Sequence, residues 1–272
     1  MLKRWIGFAR MKIERRSRWD KWWRPVDALL IEIETRFWLH RGYTVIECLG
    51  DSHIASFRRL NWMYPNTKWK FRTVSVLGAT AYGISKANSS TGARELFDKR
   101  IRKAGNKANV LISLGEIDAS FLIWFLARQK NRSTEELYQE SLSRYLNYLN
   151  YIKQNVRNLI VCSAPLPTIR DGEQNPEAIL LRDELIVSHR LRTDMVLRIN
   201  KAVNKFCDQN GIEYLDMDSI ALDADTQLVN QLLARQGARD HHYVEEEYVK
   251  LLMQKLPFLS VLAAERVKGE DQ

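Results

Sequence analysis

The chain has 272 residues, of which 45 % are hydrophobic and 28 % charged, and a formal net charge of +9. That length buries a full core, and the composition is ordinary for a soluble globular protein. Its three cysteines, Cys48, Cys162 and Cys207, lie far apart with no C-x-x-C pair, which excludes a disulfide framework and argues against a sulfur-rich zinc site.

The charge is concentrated at the start. Residues 1–25, MLKRWIGFARMKIERRSRWDKWWRP, hold nine Lys or Arg against two acids and four of the eight tryptophans, leaving a net of only +2 for the rest. Leu2, Trp5, Ile6, Ala9 and Ile13 share one helical side, so the arm resembles a basic amphipathic helix at an anionic membrane surface. A helix docked on its own domain or on a second subunit explains the same pattern, and a homo-oligomer stays open. No nucleic acid is expected, because no recognised binding module accompanies the basic residues. There is no secretory signal and no run long enough to span a bilayer. The expected location is therefore the cytoplasm, peripheral at the inner membrane face if the arm binds there.

After Pro25, residues 27–40 are predicted helical, ending before Gly42. TVIECL (44–49) reads as a buried strand and FRTVSVL (71–77) as a second. A helix is expected over about 91–104, and NVLISL (109–114) is the third strand. Ser133-x-x-Glu136 is a capping box that starts a long helix reaching about Gln154. NLIVCSA (158–164) is the fourth strand, and the prolines in 165–176 make that segment a loop. A helix from Ile179 or later to Asn210 and a short strand, GIEYLDM (211–217), follow. Loop, helix and a charged tail complete the chain.

Strands alternating with helices predict a three-layer α/β/α sandwich with a mostly parallel, flavodoxin-like five-stranded sheet. The expected division is a helical arm over 1–42, an α/β domain over 43–262 and a tail over 263–272. Ligands of such sheets sit beyond the carboxyl ends of the strands. Three of those ends run into glycine: Gly50-Asp51-Ser52-His53, Gly78-Ala79-Thr80 and Gly115-Glu116-Ile117-Asp118. No dinucleotide fingerprint or phosphate-binding glycine loop is present.

Ser52 stands where a nucleophile is useful, at a strand end that opens a helix. A serine hydroxyl needs a neighbouring base. The chain has five histidines, His40, His53, His189, His241 and His242. His189, inside a predicted helix, reads as a surface side chain. The pair in Asp240-His241-His242-Tyr243 has an aspartate beside it that can orient an imidazole, though such a pair also fits a solvated loop or a metal site.

Gly50-Asp51-Ser52, Gly78, Gly115-Glu116-Ile117-Asp118 and the Asp240–His242 region together resemble, in order, the four blocks of the GDSL, or SGNH, hydrolase superfamily over roughly residues 43–256. The resemblance implies that Ser52 is the nucleophile, that the Ser52 and Gly78 amides hold the oxyanion, and that the base is His242 oriented by Asp240, with His241 the competing base. Two positions depart from the family. Ile117 replaces an asparagine that donates to the oxyanion, a loss of about 3 kcal/mol of transition-state stabilisation unless another group substitutes. Three positions beyond Asp240 stands Tyr243, not histidine. The Gly-Glu-Ile-Asp form is similar to a branch found with bacterial polysaccharide biosynthesis proteins. It implies an esterase or deacetylase acting through an acyl-enzyme on an acylated saccharide or polysaccharide intermediate. An O-acyltransferase with the same serine, or a degenerate glycan-binding or scaffold protein, is the alternative. Neither a cofactor nor a metal is required. His53, Asn88, Arg94, Glu116 and Asp118 are the expected substrate-side contacts; Asp118 as a loop tie and Arg94 as a helix-surface ion pair are the competing readings. Tyr82, Trp124 and Tyr243 read as stacking surfaces or as packing.

Overall fold

A computed structural model describes residues 31–85, 89–172, 187–234 and 241–262. The arm over 1–25, Asn88, Asp240 and the tail lie outside the described residues. Five strands, β1 (Thr44–Gly50), β2 (Trp69–Ser75), β3 (Asn109–Ser113), β4 (Asn158–Cys162) and β5 (Glu213–Leu215), form one sheet in the order β2-β1-β3-β4-β5. Every pairing is parallel. β1, β3 and β4 are near-continuous apolar runs because a parallel sheet is covered on both faces.

The helices are α1 (Ser56–Met63), α2 (Ala93–Ala104), α3 (Ile123–Lys130), α4 (Thr134–Asn155), α5 (His189–Gln209), α6 (Asp218–Ala221) and α7 (Glu245–Lys255). Right-handed crossovers put α1 on one face and α2, α4 and α5 on the other, because the strand order reverses direction after β2. The packing agrees: α7 lies against α1, while α4 touches both α2 and α5. The core between these layers is closed by Tyr145, Phe57, Phe71, Phe97, Ile46 and Leu111, all essentially inaccessible.

The capping box is present, with the Ser133 hydroxyl accepting from the Glu136 amide and the Glu136 carboxylate accepting from the Ser133 amide. β2 begins two residues earlier than the pattern indicates. It is the edge strand, and Asn61 satisfies its outward backbone, donating to the Phe71 carbonyl (2.8 Å) and accepting from the Phe71 amide (2.9 Å). The strand also stops early, since Val76 already belongs to a turn in which its carbonyl accepts from Ala79 N (3.0 Å) and Gly78 has φ +75°. The π-helical turn Asp118–Leu122 and α3 were not anticipated. Their run FLIWFLA is apolar on all sides, so it carries no helical stripe to read.

The helix over 31–40 is tied to the sheet by charge. Glu47 on β1 is 4 % exposed and accepts from Arg100 Nε at 2.6 Å and from Arg72 Nη1 at 3.2 Å. A second Arg100 nitrogen closes the pair with Glu47. Glu32 joins Arg72, Arg100 and Lys103 into the same network. No helix among the described residues is long and apolar enough to cross a membrane.

Candidate active site

Strand order changes direction between β1 and β3, so a crevice opens there at the carboxyl ends. Register brings those ends level: Gly50 pairs with Ser75 on one side and Ser113 on the other. A side chain at position 50 is impossible without movement, because a Cβ there would lie 2.6 Å from the Ser113 carbonyl oxygen. The glycine lets the chain pass over β3 before it turns into the site.

Asp51 then caps a short 3₁₀ turn, Ser52–Ala55, that runs into α1. Its carboxylate accepts from the His53 amide (2.9 Å) and from His53 Nδ1 (3.2 Å), and its carbonyl accepts from the Ser75 hydroxyl (2.9 Å). Ser52 is left half-buried at the head of this turn. Its hydroxyl makes no hydrogen bond among the described residues.

The His53 imidazole is 6 % exposed, with an acceptor at each nitrogen: Asp51 at Nδ1 and the His241 carbonyl, 3.4 Å away, at Nε2. Burial disfavours its charged form. The Asp51 carboxylate, its hydrogen bond, the nearby Glu116 charge and the His241 carbonyl outweigh that and raise the pKa to about 9. His53 is thus an imidazolium near neutrality, a donor at both ends. A group whose folded pKa lies above its ordinary 6.5 stabilises fully below 6.5 and loses that contribution as pH rises through 9. Wild type should therefore exceed His53→Gln in unfolding free energy by about 3 kcal/mol more at pH 6 than at pH 10. Urea titrations at the two pH values measure this, and a pH-independent difference would contradict the charge assignment.

The C-terminal loop arrives over this turn. The His53 ring centroid lies 5.4 Å from that of His241 and 4.9 Å from that of His242, and the latter two are 4.1 Å apart. One nitrogen of each ring lies within 4.8 Å of the others, a grouping that can hold a metal ion. Three anchors fix the loop. The Tyr243 hydroxyl accepts from Leu166 N (2.6 Å), Val244 N donates to the Leu233 carbonyl (2.8 Å), and His53 grips the His241 carbonyl. Tyr243, buried and edge-on to Tyr248, is an anchor and not a stacking surface.

Gly78 follows β2 in the tight turn described above, and its amide donates to no acceptor among the described residues. That turn is held from beneath by Asp118. The Asp118 carboxylate is fully buried and accepts from Ala81 N (2.7 Å), Tyr82 N (2.8 Å) and the Ser141 hydroxyl (2.7 Å). Burial pushes its pKa up against these bonds. Gly115, with φ +128°, makes the bend that aims Asp118 inward.

Several expectations change here. Asp118 has no surface to offer a substrate and is a loop tie. Arg94, on α2, donates to Asp98 (2.6 Å) and lies over the Tyr148 and Tyr151 rings, the helix-surface pairing that was the competing reading. Glu116 is buried beside His53 and acts on it through its charge. His53 itself is buried and holds the terminal loop through the His241 carbonyl. His189 is 4 % exposed, not superficial: its ring meets the Pro167 carbonyl at 2.7 Å and steadies the loop after β4. Trp124 donates to the Ala119 carbonyl (2.6 Å), and Arg144 covers the buried Tyr82 ring, which makes both packing groups. The role of Asp51 was missed. Its place just before a helical turn, a favoured position for an aspartate cap, was the available signal.

No family model matches the chain, and no curated protein matches it either. Among solved structures it is similar to an acetylxylan esterase from Geobacillus stearothermophilus, a catalytic mutant, at 14 % identity and TM-score 0.51, covering 79 % of this chain and 95 % of that one. It is also similar to the M. smegmatis aryl esterase at 11 % identity and TM-score 0.50, covering 83 % and 99 %. A gut microbial diltiazem-metabolizing enzyme, BT4096, aligns at 16 % identity and TM-score 0.50, covering 78 % of this chain and 46 % of that one. At these identities the likeness is one of fold. With its five parallel strands, reversed strand order and level carboxyl ends, the chain shares the three-layer α/β/α fold of these structures.

Proposed function

We propose that the protein is a serine-dependent acyl ester hydrolase working through an acyl-enzyme, with an acylated carbohydrate as substrate. Three observations at the carboxyl ends of β1 and β2 support this reading, and the one that carries it is the clamping of the histidine loop over His53, next to Ser52. Ser52 heads its turn with an uncommitted hydroxyl. The loop bearing His241 and His242 is clamped over the adjoining residue, and Gly78 presents a free amide. The esterases that share the architecture make ester cleavage a fitting chemistry by analogy.

His242 takes the Ser52 proton as Oγ attacks the acyl carbon, and the Ser52 and Gly78 amides receive the developing oxyanion. The protonated imidazole then gives its proton to the departing sugar oxygen. Water, deprotonated by the same base, releases the acid and restores Ser52. Ile117 offers no donor at the third oxyanion position, so the two amides carry that load. Among the described residues the Ser52 hydroxyl makes no hydrogen bond to an imidazole, and catalytic hydrogen bonds of this kind commonly tighten in the Michaelis complex.

Labelling with a fluorophosphonate followed by peptide mass spectrometry tests the roles. Modification is expected at Ser52, lost in His242→Ala and kept in His241→Ala. Loss only in His241→Ala transfers the base role to that residue. Absence of any label at Ser52 would leave the fold serving as a glycan-binding platform.

A further inference from the structure

The three imidazoles at the mouth of the crevice form a second constellation within the same space. They come from two distant parts of the chain and are brought together by the loop anchors, with one ring nitrogen each inside a 4.8 Å sphere of mutual distances. A tetrahedral ion with bonds of about 2.1 Å needs nitrogens about 3.4 Å apart. His241 and His242 are half-buried and His53 is buried, so closing on an ion requires the two loop rings to shift toward His53.

His53 is also oriented as a metal-bound histidine is. A carboxylate on one ring nitrogen turns the other toward the ion and raises its basicity. Asp51 Oδ1 does this at Nδ1, and it also holds the His53 backbone amide, so the ring has little freedom. The second Asp51 oxygen has no hydrogen-bond partner among the described residues, and Glu116 lies close enough to act on His53. Negative charge therefore stands behind the imidazoles, and among the described residues the ion-pair partner of Asp51 is His53 itself. All-nitrogen donation from imidazole favours borderline divalent ions such as zinc, cobalt or nickel over magnesium or calcium.

We propose that His53, His241 and His242 bind one zinc-class divalent cation, and that its occupation blocks acyl transfer at Ser52. The blocking half rests on the serine-hydrolase reading; the binding half stands without it. As the ion binds, His53 Nε2 releases its proton to solvent and with it the His241 carbonyl contact; once the ion also accepts the ring lone pairs of His241 and His242, neither imidazole can receive the Ser52 proton. No bond in the substrate is broken by the ion, and chelation returns both bases.

The test uses the full chain without a polyhistidine tag, stripped of metal with EDTA. Calorimetric titration with zinc sulfate should show one equivalent bound. Cobalt chloride should produce the visible absorption of a tetrahedral complex. His53→Ala, His241→Ala and His242→Ala should each weaken zinc binding by at least about 100-fold, and Asp51→Asn by about 10-fold. Circular dichroism and thermal melting show which variants remain folded. If His53→Ala does not, the two loop variants still decide. Saturating zinc should prevent fluorophosphonate labelling of Ser52, and EDTA should restore it.

No saturable binding, or binding indifferent to both loop histidines, overturns the site. Full occupancy with labelling unchanged overturns the inhibitory role. Failure of Ser52 to label in the metal-free protein instead strikes the hydrolase reading, while the zinc and cobalt titrations still report on the site.

Discussion

Ser52→Ala should reduce kcat/KM for an activated acetyl ester such as p-nitrophenyl acetate by on the order of 10⁴-fold or more, with the melting temperature close to wild type. The two halves of this outcome have separate causes. The hydroxyl is half-buried and makes no hydrogen bond among the described residues, so removing it takes away no native contact. In the proposed mechanism the chemical loss is large because the oxygen that would bond to the acyl carbon is gone, and the amides proposed at Ser52 and Gly78 would stabilise only what that oxygen forms. His242→Ala should approach the same loss, since nucleophile and base act as a unit and their removals do not add. A Ser52→Ala protein that retains substantial turnover would end the acyl-enzyme proposal and direct attention to an alternative, non-serine nucleophile.

Glu47→Ala is expected to give the largest loss of stability, about 3–5 kcal/mol. Glu47 is 4 % exposed on the central strand β1, and both Arg100 and Arg72 point at its carboxylate. Deleting it leaves two buried guanidinium groups with Glu32 alone, and Glu32 reaches each of them only at 3.5 Å. The cost is the burial of unmatched charge, so it should far exceed that of breaking a solvated pair. Glu246, 62 % exposed and paired with Arg59 at 2.7 Å, provides the comparison: Glu246→Ala should leave the urea midpoint nearly unchanged. Equal midpoints for the two variants would show that the Glu47 network is stabilised by solvent in a way the burial does not indicate. Because Glu32 and the helix over 31–40 hang on the same cluster, proteolysis near residue 40 should also quicken in Glu47→Ala.

Legibility in the sequence followed the range of the interaction. The strands β1, β3 and β4 and the start of α4 are set by local patterns: apolar runs bounded by glycine or proline, and Ser133 with Glu136 three residues on. The glycine-terminated strand ends could be aligned as one set because parallel sheets place all their carboxyl ends on one edge. Positions with two readings stayed open, and the one that failed, His189, has its environment made by distant chain. Asp118 and Arg94 carry charges that suit a substrate equally well on paper. Asp118 instead meets the amides of Ala81 and Tyr82, and Arg94 meets Asp98 and two tyrosine rings. His189 looked superficial because helix position does not reveal burial, and Pro167 is 22 residues away. The helix after β3 stayed hidden because an all-round apolar segment has no periodic face.

The sequence by itself determined the alternation of strands and helices, the glycines at the strand ends and the candidacy of Ser52 with the 241–242 histidines. The first two are properties of neighbouring residues, fixed by backbone sterics and side-chain periodicity, while the third rests on the resemblance of the four blocks. Tertiary structure alone decided that His53 is a buried, charged clamp between Asp51 and the His241 carbonyl. It likewise decided that the terminal loop is anchored to the loop after β4 through Tyr243 and that three imidazoles converge over the serine turn. The physical reason is that burial and charge state depend on groups separated by up to 188 positions in the chain, and no local pattern encodes which of them will meet.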